Sequence, residues 1–487
     1  MLSRFLIVVA FAAVTLHAQV LDATIQVTDN QPSSADKVFG ITRDVSGTKL
    51  YAALCGNLAP WTTPPAQWGN YNNDNVVRID IATAAQDAIG VCGLFPEDIA
   101  ITRHANGDTR HVWVSNSNSG TVTRLDADLT APLEILLTPC FGANFGAVYP
   151  FSILASDDST RVIVQGTSCG TLDVIDAVPS SPTFSTIVNT ISVPDMFGRM
   201  LWAAPQVLAV PYTTFNFDPV VGYSTSSVTG IKLVNVQLGT VVATISAGPS
   251  AQFAYPSITD LVLTPAGTIL GAVGYGFSPQ LVEFDLQTSS VSRVLNFPPV
   301  QIGLGLHGLA LSPDGATCVI TDMLGAQVVF VDVATFTLVG TAATGTGSQP
   351  NELVFSRDGS RLYVSHQGAP VIQRWKQLPG HELRLQVPPA PVGGSTAVIS
   401  LGNIEAGNAA ALFMSLSPGP TQIGSLSIGL GLPFELFTVL SGDLDGHAAF
   451  GAPVPLGLAG LSFWFQAATV DNDGLLRLSN TAQTTLQ

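Results

Sequence analysis

The sequence predicts an all-β chain, a seven-bladed β-propeller followed by a small C-terminal β-sandwich, on three observations. A strand pattern returns between about residues 37 and 378, clearest in Gly308-Leu-Ala-Leu-Ser-Pro-Asp-Gly315, Thr317-Cys-Val-Ile-Thr321 and Val328-Val-Phe-Val-Asp332. It recurs in Glu352-Leu-Val-Phe-Ser-Arg-Asp-Gly359 and Arg361-Leu-Tyr-Val-Ser365, and the 44 residues from Gly315 to Gly359 suit one four-stranded unit per repeat. Composition agrees: 11% of the 487 residues are charged, 46% are hydrophobic, and 46 Gly and 32 Pro punctuate the chain. That balance fits short buried strands joined by tight turns, and no long stretch carries apolar residues at helical spacing.

At the N-terminus Arg4 precedes the apolar run Phe5–Val14, and Thr15-Leu-His-Ala18 follows. A short positive region, a core near ten residues and a small residue at the cut make 1–18 a secretory signal peptide, so the mature chain is expected to be secreted or displayed at the cell surface. No later segment is long and apolar enough for a membrane span. The formal net charge of −16, with no basic cluster, argues against nucleic acid as a partner.

The propeller is expected over 19–380. Its first innermost strand lies near Val38–Thr42, beside Lys49–Leu54 and Val76–Asp80. The second unit runs through Asp98–Thr102, His111–Ser115 and Thr121–Asp126, and the third through Phe151–Ala155, Arg161–Gln165 and Leu172–Asp176. The fourth, about 195–245, is the least regular and carries an insertion around Tyr212–Ser227. The fifth opens at Ile258–Leu263, and the two repeats quoted above complete the set. Between first and second strands the chain places Asp44-Val-Ser-Gly47, Thr264-Pro-Ala-Gly267, Ser312-Pro-Asp-Gly315 and Ser356-Arg-Asp-Gly359. Asp or Pro sets such a turn and Gly takes the backbone angle other residues avoid. After the third strand Asp recurs with Thr three places on: Asp80 with Thr83, Asp285 with Thr288, Asp332 with Thr335. These carboxylates are expected to accept backbone N–H groups and close the turn rather than to hold metal. The ring can be closed by Ala23–Val27 or by Leu383–Val387. A Pro- and Gly-rich linker is read over 381–396 and the sandwich over 397–487.

Disulfides are permitted in an exported chain with five Cys. Loops joining second to third strands share a propeller face with loops between blades, which favours the bridges Cys55–Cys92 and Cys140–Cys169, with Cys318 a buried thiol. The same face carries the insertion Pro60–Asp74, in which Trp61, Trp68 and Tyr71 sit among amides. Such rings suit glycan or peptide recognition, and they equally suit a lid packed on the first blade. Residues entering the innermost strands line the mouth of the central channel: Glu97, Asp98, Asp260, His307, Asn351 and Glu352. Oxygen ligands with one His can hold a divalent cation such as calcium, while His307 also reads as a hydrogen-bonded channel residue. No nucleophile elbow, zinc-protease helix or phosphate-cradling loop is present.

The last two repeats resemble the YVTN-type β-propeller repeat family, whose units pass from a Ser-Pro-Asp-Gly turn to Val-Tyr-Val and to a strand ending Val-x-Asp. The tail, with Phe465-Gln-Ala-Ala468 and Leu476-Arg-Leu-Ser-Asn480, is similar to C-terminal modules of secreted proteins from environmental bacteria. The first resemblance implies seven blades and secretion or surface display, and its relatives include lactonases. The expectation is a non-catalytic binding or scaffold protein that recognises an extracellular glycan, peptide or protein through one loop-rich face. The alternative is a metal-dependent, lactonase-like hydrolase working at the channel mouth.

Overall fold

The computed structural model describes residues 20–29, 36–57, 72–139, 148–218, 223–249, 257–274, 279–298, 305–376, 378, 382–423, 426–472, 474 and 476–487. Among these the regular elements are β-strands and one 3-10 turn, Thr167–Cys169. The chain divides into two units, one made of Leu21–Phe355 with Leu362–Trp375, the other containing Lys376–Gln487. The candidate signal peptide lies outside the described residues.

In the first unit the described strands form four-stranded sheets in sequence order. Their innermost strands are Val38–Arg43, Pro96–Arg103, Pro150–Ala155, Leu201–Ala204, Ser257–Leu263, Leu306–Leu311 and Pro350–Phe355. The sheet that begins at Pro350 takes its outer strand from the other end of the chain: Val20–Gln26 lies beside Val371–Lys376. Asp22 and Arg374 pair across this join at 2.6 Å. The innermost strand of that sheet packs against the first, Val38–Arg43, so the sheets close into a ring, a β-propeller. Of the two candidates for closing it, the N-terminal strand does so.

The sequence pattern explains the stacking. Second strands are apolar on nearly every residue, and Thr317–Asp322 is buried throughout because both faces of its sheet are covered. Outer strands such as Ser290–Asn296 alternate exposed and half-buried residues, with one face in water. Each core cluster bridges neighbouring sheets. Leu270, Leu281 and Phe297 meet Leu306, Ile320 and Val329, and Ile25, Leu50 and Val77 meet Tyr363 and Ile372 across the closure.

The turns behave as expected. Ser312 and Asp314 close the Ser-Pro-Asp-Gly turn, with the Gly315 N–H donated to Ser312 O at 2.8 Å and Gly315 at φ 71°. Asp80 accepts the Thr83 N–H and hydroxyl, each at 2.9 Å, and Asp332 does the same for Thr335.

A feature the sequence did not announce recurs at the axis. The pairing of inner with second strand slips near the start of the inner strand in sheet after sheet, at Val38/Ile41, Pro96/Asp98, Pro150/Ile153, Ile258/Asp260, Leu306/Leu309 and Pro350/Leu353. Each bulge frees the inner backbone from its own sheet, and the neighbouring sheet uses it. The Gly308 N–H donates to Thr321 Oγ1 at 2.7 Å, and that hydroxyl donates to Asn351 O at 2.6 Å in the next sheet. Likewise the Glu352 N–H donates to Ser365 Oγ, which donates to Phe39 O at 2.7 Å across the closure. The backbones come so near that a Cβ on Gly40 or Gly308 would fall on the carbonyl oxygen of Glu97 or Asn351.

In the second unit, Arg384–Gln386, Thr396–Gly402 and Ala448–Pro453 form one sheet, and Phe434–Ser441, Ala409–Ser415, Ser462–Val470 and Leu476–Leu478 form another, with Ala482–Thr485 also paired to Ser462–Val470. Leu385, Ile399 and Leu401 of the first sheet share a core with Leu412, Leu440 and Phe465 of the second. The linker reading over 381–396 is corrected here. Arg384–Gln386 is a paired strand, and the carbonyls of Pro389 and Pro391 accept the Thr485 and Gln487 N–H groups at 3.1 and 3.0 Å. Alternating Pro cannot join a ladder as donor, but its carbonyls still accept, so a Pro-rich stretch lies along a strand edge.

Gly308→Ala is expected to destabilise the chain by about 1–3 kcal/mol, because the methyl must displace backbone. Gly340→Ala, where a Cβ meets nothing within 4 Å, should change stability by less than about 0.5 kcal/mol. Urea unfolding of both variants checks the contrast.

Candidate functional site

The bulged ends of the innermost strands bring the predicted channel residues together, and they bring Arg199 among them. Arg199 lies two residues before the inner strand Leu201–Ala204 of the irregular fourth repeat, and only 6% of it is exposed. Its Nη1 lies 2.6 Å from Asp98 Oδ1 and its Nε 2.6 Å from Glu352 Oε1. Its backbone N–H donates to Thr259 O at 2.9 Å in the next sheet. Burial works against a charged guanidinium, but Asp98, Glu352 and Asp260 outweigh it and hold Arg199 protonated.

The carboxylates are engaged on their other sides as well. Asp98 accepts the Ile99 N–H and, in the adjacent sheet, the Ile153 N–H at 3.0 Å. Asp260 repeats the device, accepting Leu261 N–H and, one sheet on, Leu309 N–H at 2.7 Å. Asn351 donates from Nδ2 to Phe39 O at 3.2 Å. Burial pushes Asp260 up to about 7 and Glu97 up to about 8, and it raises Glu352 well above the usual carboxylate range. Ser117 touches both the Glu97 carboxyl and Pro150 O, the latter at 2.6 Å. One hydroxyl proton cannot serve both, so a protonated Glu97 donating to Ser117 satisfies the pair. His307, buried and near Arg199, is held down to about 3 and is neutral.

Aromatic rings surround this charge. Arg199 lies 5.9 Å from the ring centres of both Phe39 and Phe151. Phe39 meets His307, Phe95 and Phe151 edge-on, and Phe197, 39% exposed, stacks on Phe151.

The reading of Glu97, Asp98, His307, Asn351 and Glu352 as ligands for a divalent cation such as calcium meets a competing charge here. The donors converge on the axis as expected, but their positive charge is a guanidinium. Placing a divalent cation beside it would add like-charge repulsion inside a site of low dielectric. Among the described residues no group of three or more His, Cys, Asp and Glu is disposed to hold a metal ion. A signal for Arg199 was present in the sequence: at the repeat position that holds acids in three other sheets, the fourth carries a base.

The bridge Cys55–Cys92 is also corrected. Both thiols are free. Cys55 extends Lys49–Gly56 and Cys92 follows the outermost strand Ala85–Val91, with Asn72–Asp80 between them. Two strand spacings, about 9.6 Å, exceed the Cα separation a disulfide spans. Burial instead raises both thiols, and Cys55 sits among Phe39 and Phe95. Cys318 is a free buried thiol, as expected. Cys169 is disulfide-bonded, and its expected partner Cys140 lies outside the described residues. Trp61, Trp68 and Tyr71 also lie outside them, though Gly56 and Asn72, which flank that loop, are paired side by side.

No family model and no curated protein matches this chain. Among solved structures it is similar to Kuenenia stuttgartiensis hydrazine synthase, at 16% identity and TM-score 0.53, over 72% of this chain and 99% of that one. A chain of a mitotic checkpoint complex matches at 10% identity and TM-score 0.50, over 77% and 98%. The β-propeller domain of Myceliophteria thermophila Cps50 (Swd1) matches at 11% identity and TM-score 0.49, over 74% and 100%. Likeness at such identities is one of fold alone.

Removing Arg199 leaves buried carboxylates facing one another. Arg199→Met is expected to lower unfolding free energy by about 3–5 kcal/mol by chemical denaturation. The pH dependence follows from the raised acids. Glu97 ionises near 4.5 when unfolded and near 8 when folded, so its contribution is complete below about 4.5 and is lost as pH rises through about 8. Glu97→Gln should therefore flatten the fall in Tm between pH 5 and pH 9, measured by thermal unfolding across that range.

Proposed function

We propose that this protein is a secreted, seven-bladed β-propeller with a C-terminal β-sandwich that binds a glycan, peptide or surface partner through the channel-mouth face and does so without catalysis. One observation carries the reading: the axial acids are engaged by Arg199 and by backbone N–H groups of adjacent sheets. A hydrolase needs a base or Lewis acid facing substrate, and these groups face one another. A rigid ring whose two paired strands Lys49–Gly56 and Asn72–Asp80 are joined by a long aromatic segment suits recognition. The resemblance of the last repeats to the YVTN-type family and the leader-like N-terminus support secretion.

Calorimetry of the full chain against glycans and peptides tests this. A specific ligand is expected, with affinity reduced at least tenfold by Trp68→Ala and unchanged by chelator. Chelator-sensitive turnover of lactones would overturn the non-catalytic reading, and binding indifferent to Trp68→Ala would remove the loop from it.

A further inference from the structure

The C-terminal unit holds an apolar pocket of about 260 Å³, open on one side, between the two sheets described above. Ala397, Ile399 and Ala452 line it from one sheet, and Met414, Phe437 and Phe463 from the other. Its origin is local. Ala397 pairs with Ala452 across adjacent strands, two methyl groups where the neighbouring pair is Ile399 with Phe450. Small side chains on both partners leave space that large ones would fill.

The wall offers almost nothing to a polar guest. Thr484 is the one polar residue of the lining, and its hydroxyl is donated to Pro388 O. Pro388, Pro391, Pro453 and Pro455 have no N–H, and Pro391 O already accepts the Gln487 N–H at 3.0 Å. Val454 both donates to Ser395 O and accepts from Gly394, at 2.9 Å each. A polar ligand would lose its water contacts there without replacement. A hydrocarbon loses nothing there and gains by leaving water.

From this we infer that the C-terminal unit binds an unbranched alkyl chain, the polar end of the ligand remaining in solvent beside the partly exposed Phe437. A cavity of about 150 Å³ accommodates the six carbons of benzene, so about 260 Å³ corresponds to roughly ten carbons. The site is independent of the channel-mouth reading, and either can fail without the other.

The test uses n-alkanols from hexanol to dodecanol against the full chain, followed by calorimetry. Affinity should rise about fourfold per added carbon up to decanol and then level off, since each enclosed methylene adds a similar increment. Ala452→Leu fills the cavity and should weaken decanol binding at least tenfold while circular dichroism and melting match the parent. If that variant does not fold, Ala397→Val gives the same readout with one less carbon added. Absence of saturable binding would overturn the inference. So would affinity climbing steadily past ten carbons, the mark of surface partition, or decanol binding unchanged in the filled variant.

Discussion

Around the axis, main chains of neighbouring sheets touch with no side chain between them, and the rest of the propeller unit is arranged to permit that approach. The bulge near the start of the inner strands turns backbone N–H and carbonyl groups away from their own ladder. Second-strand hydroxyls on Thr321 and Ser365 then bridge one sheet to the next. Gly40 and Gly308 are required for lack of space, and no special dihedral angle is involved. Stacking of the broad apolar faces supplies most of the burial, but hydrophobic contact is non-directional and does not set the angle between sheets. The directional bonds at the axis do.

That geometry concentrates acids. Asp98 and Asp260 each accept an amide from the following sheet, and Glu352 reaches the same centre. Acids so close and so buried cannot all ionise unaided. Arg199 supplies one fixed positive charge, and burial shifts the ionisation of Asp260 and Glu97 upward, which lightens the negative charge it must balance. The lowered His307 adds no second charge. Arg199 pairs with Asp98 and Glu352 within this centre, while Arg199 Nη2 and Asn351 Oδ1 are buried there without a hydrogen-bond partner.

How much of this was legible in the sequence depends on how local the cause was. Turn chemistry was legible because Asp80 with Thr83, or Ser312 with Asp314, interact within a few residues. The sheet order was legible from the repeat, including the N-terminal strand as one candidate for closure. Repeat position alone brings Asp98 and Glu352 to one centre. Their partner was missed because Arg199 lies in the one repeat whose pattern is broken. The Cys55–Cys92 pairing failed for a different reason: facing loops were inferred, but the lateral distance across an intervening strand was not. The short strand at Arg384–Gln386 was legible as a strand, among the candidates for closing the ring, but its actual partner, Thr396–Gly402, is a contact no local pattern reveals.

The central claim is that Arg199 and the axial acids form one coupled network, and a double-mutant cycle between Arg199 and Asp98 addresses it most directly. Unfolding free energies of the parent, Arg199→Met, Asp98→Asn and the double variant give the interaction energy without assumptions about either side chain alone. Contact at 2.6 Å in a buried setting predicts a coupling of about 1.5–3 kcal/mol. Single-variant losses that simply add, to within about 0.5 kcal/mol, would contradict the account.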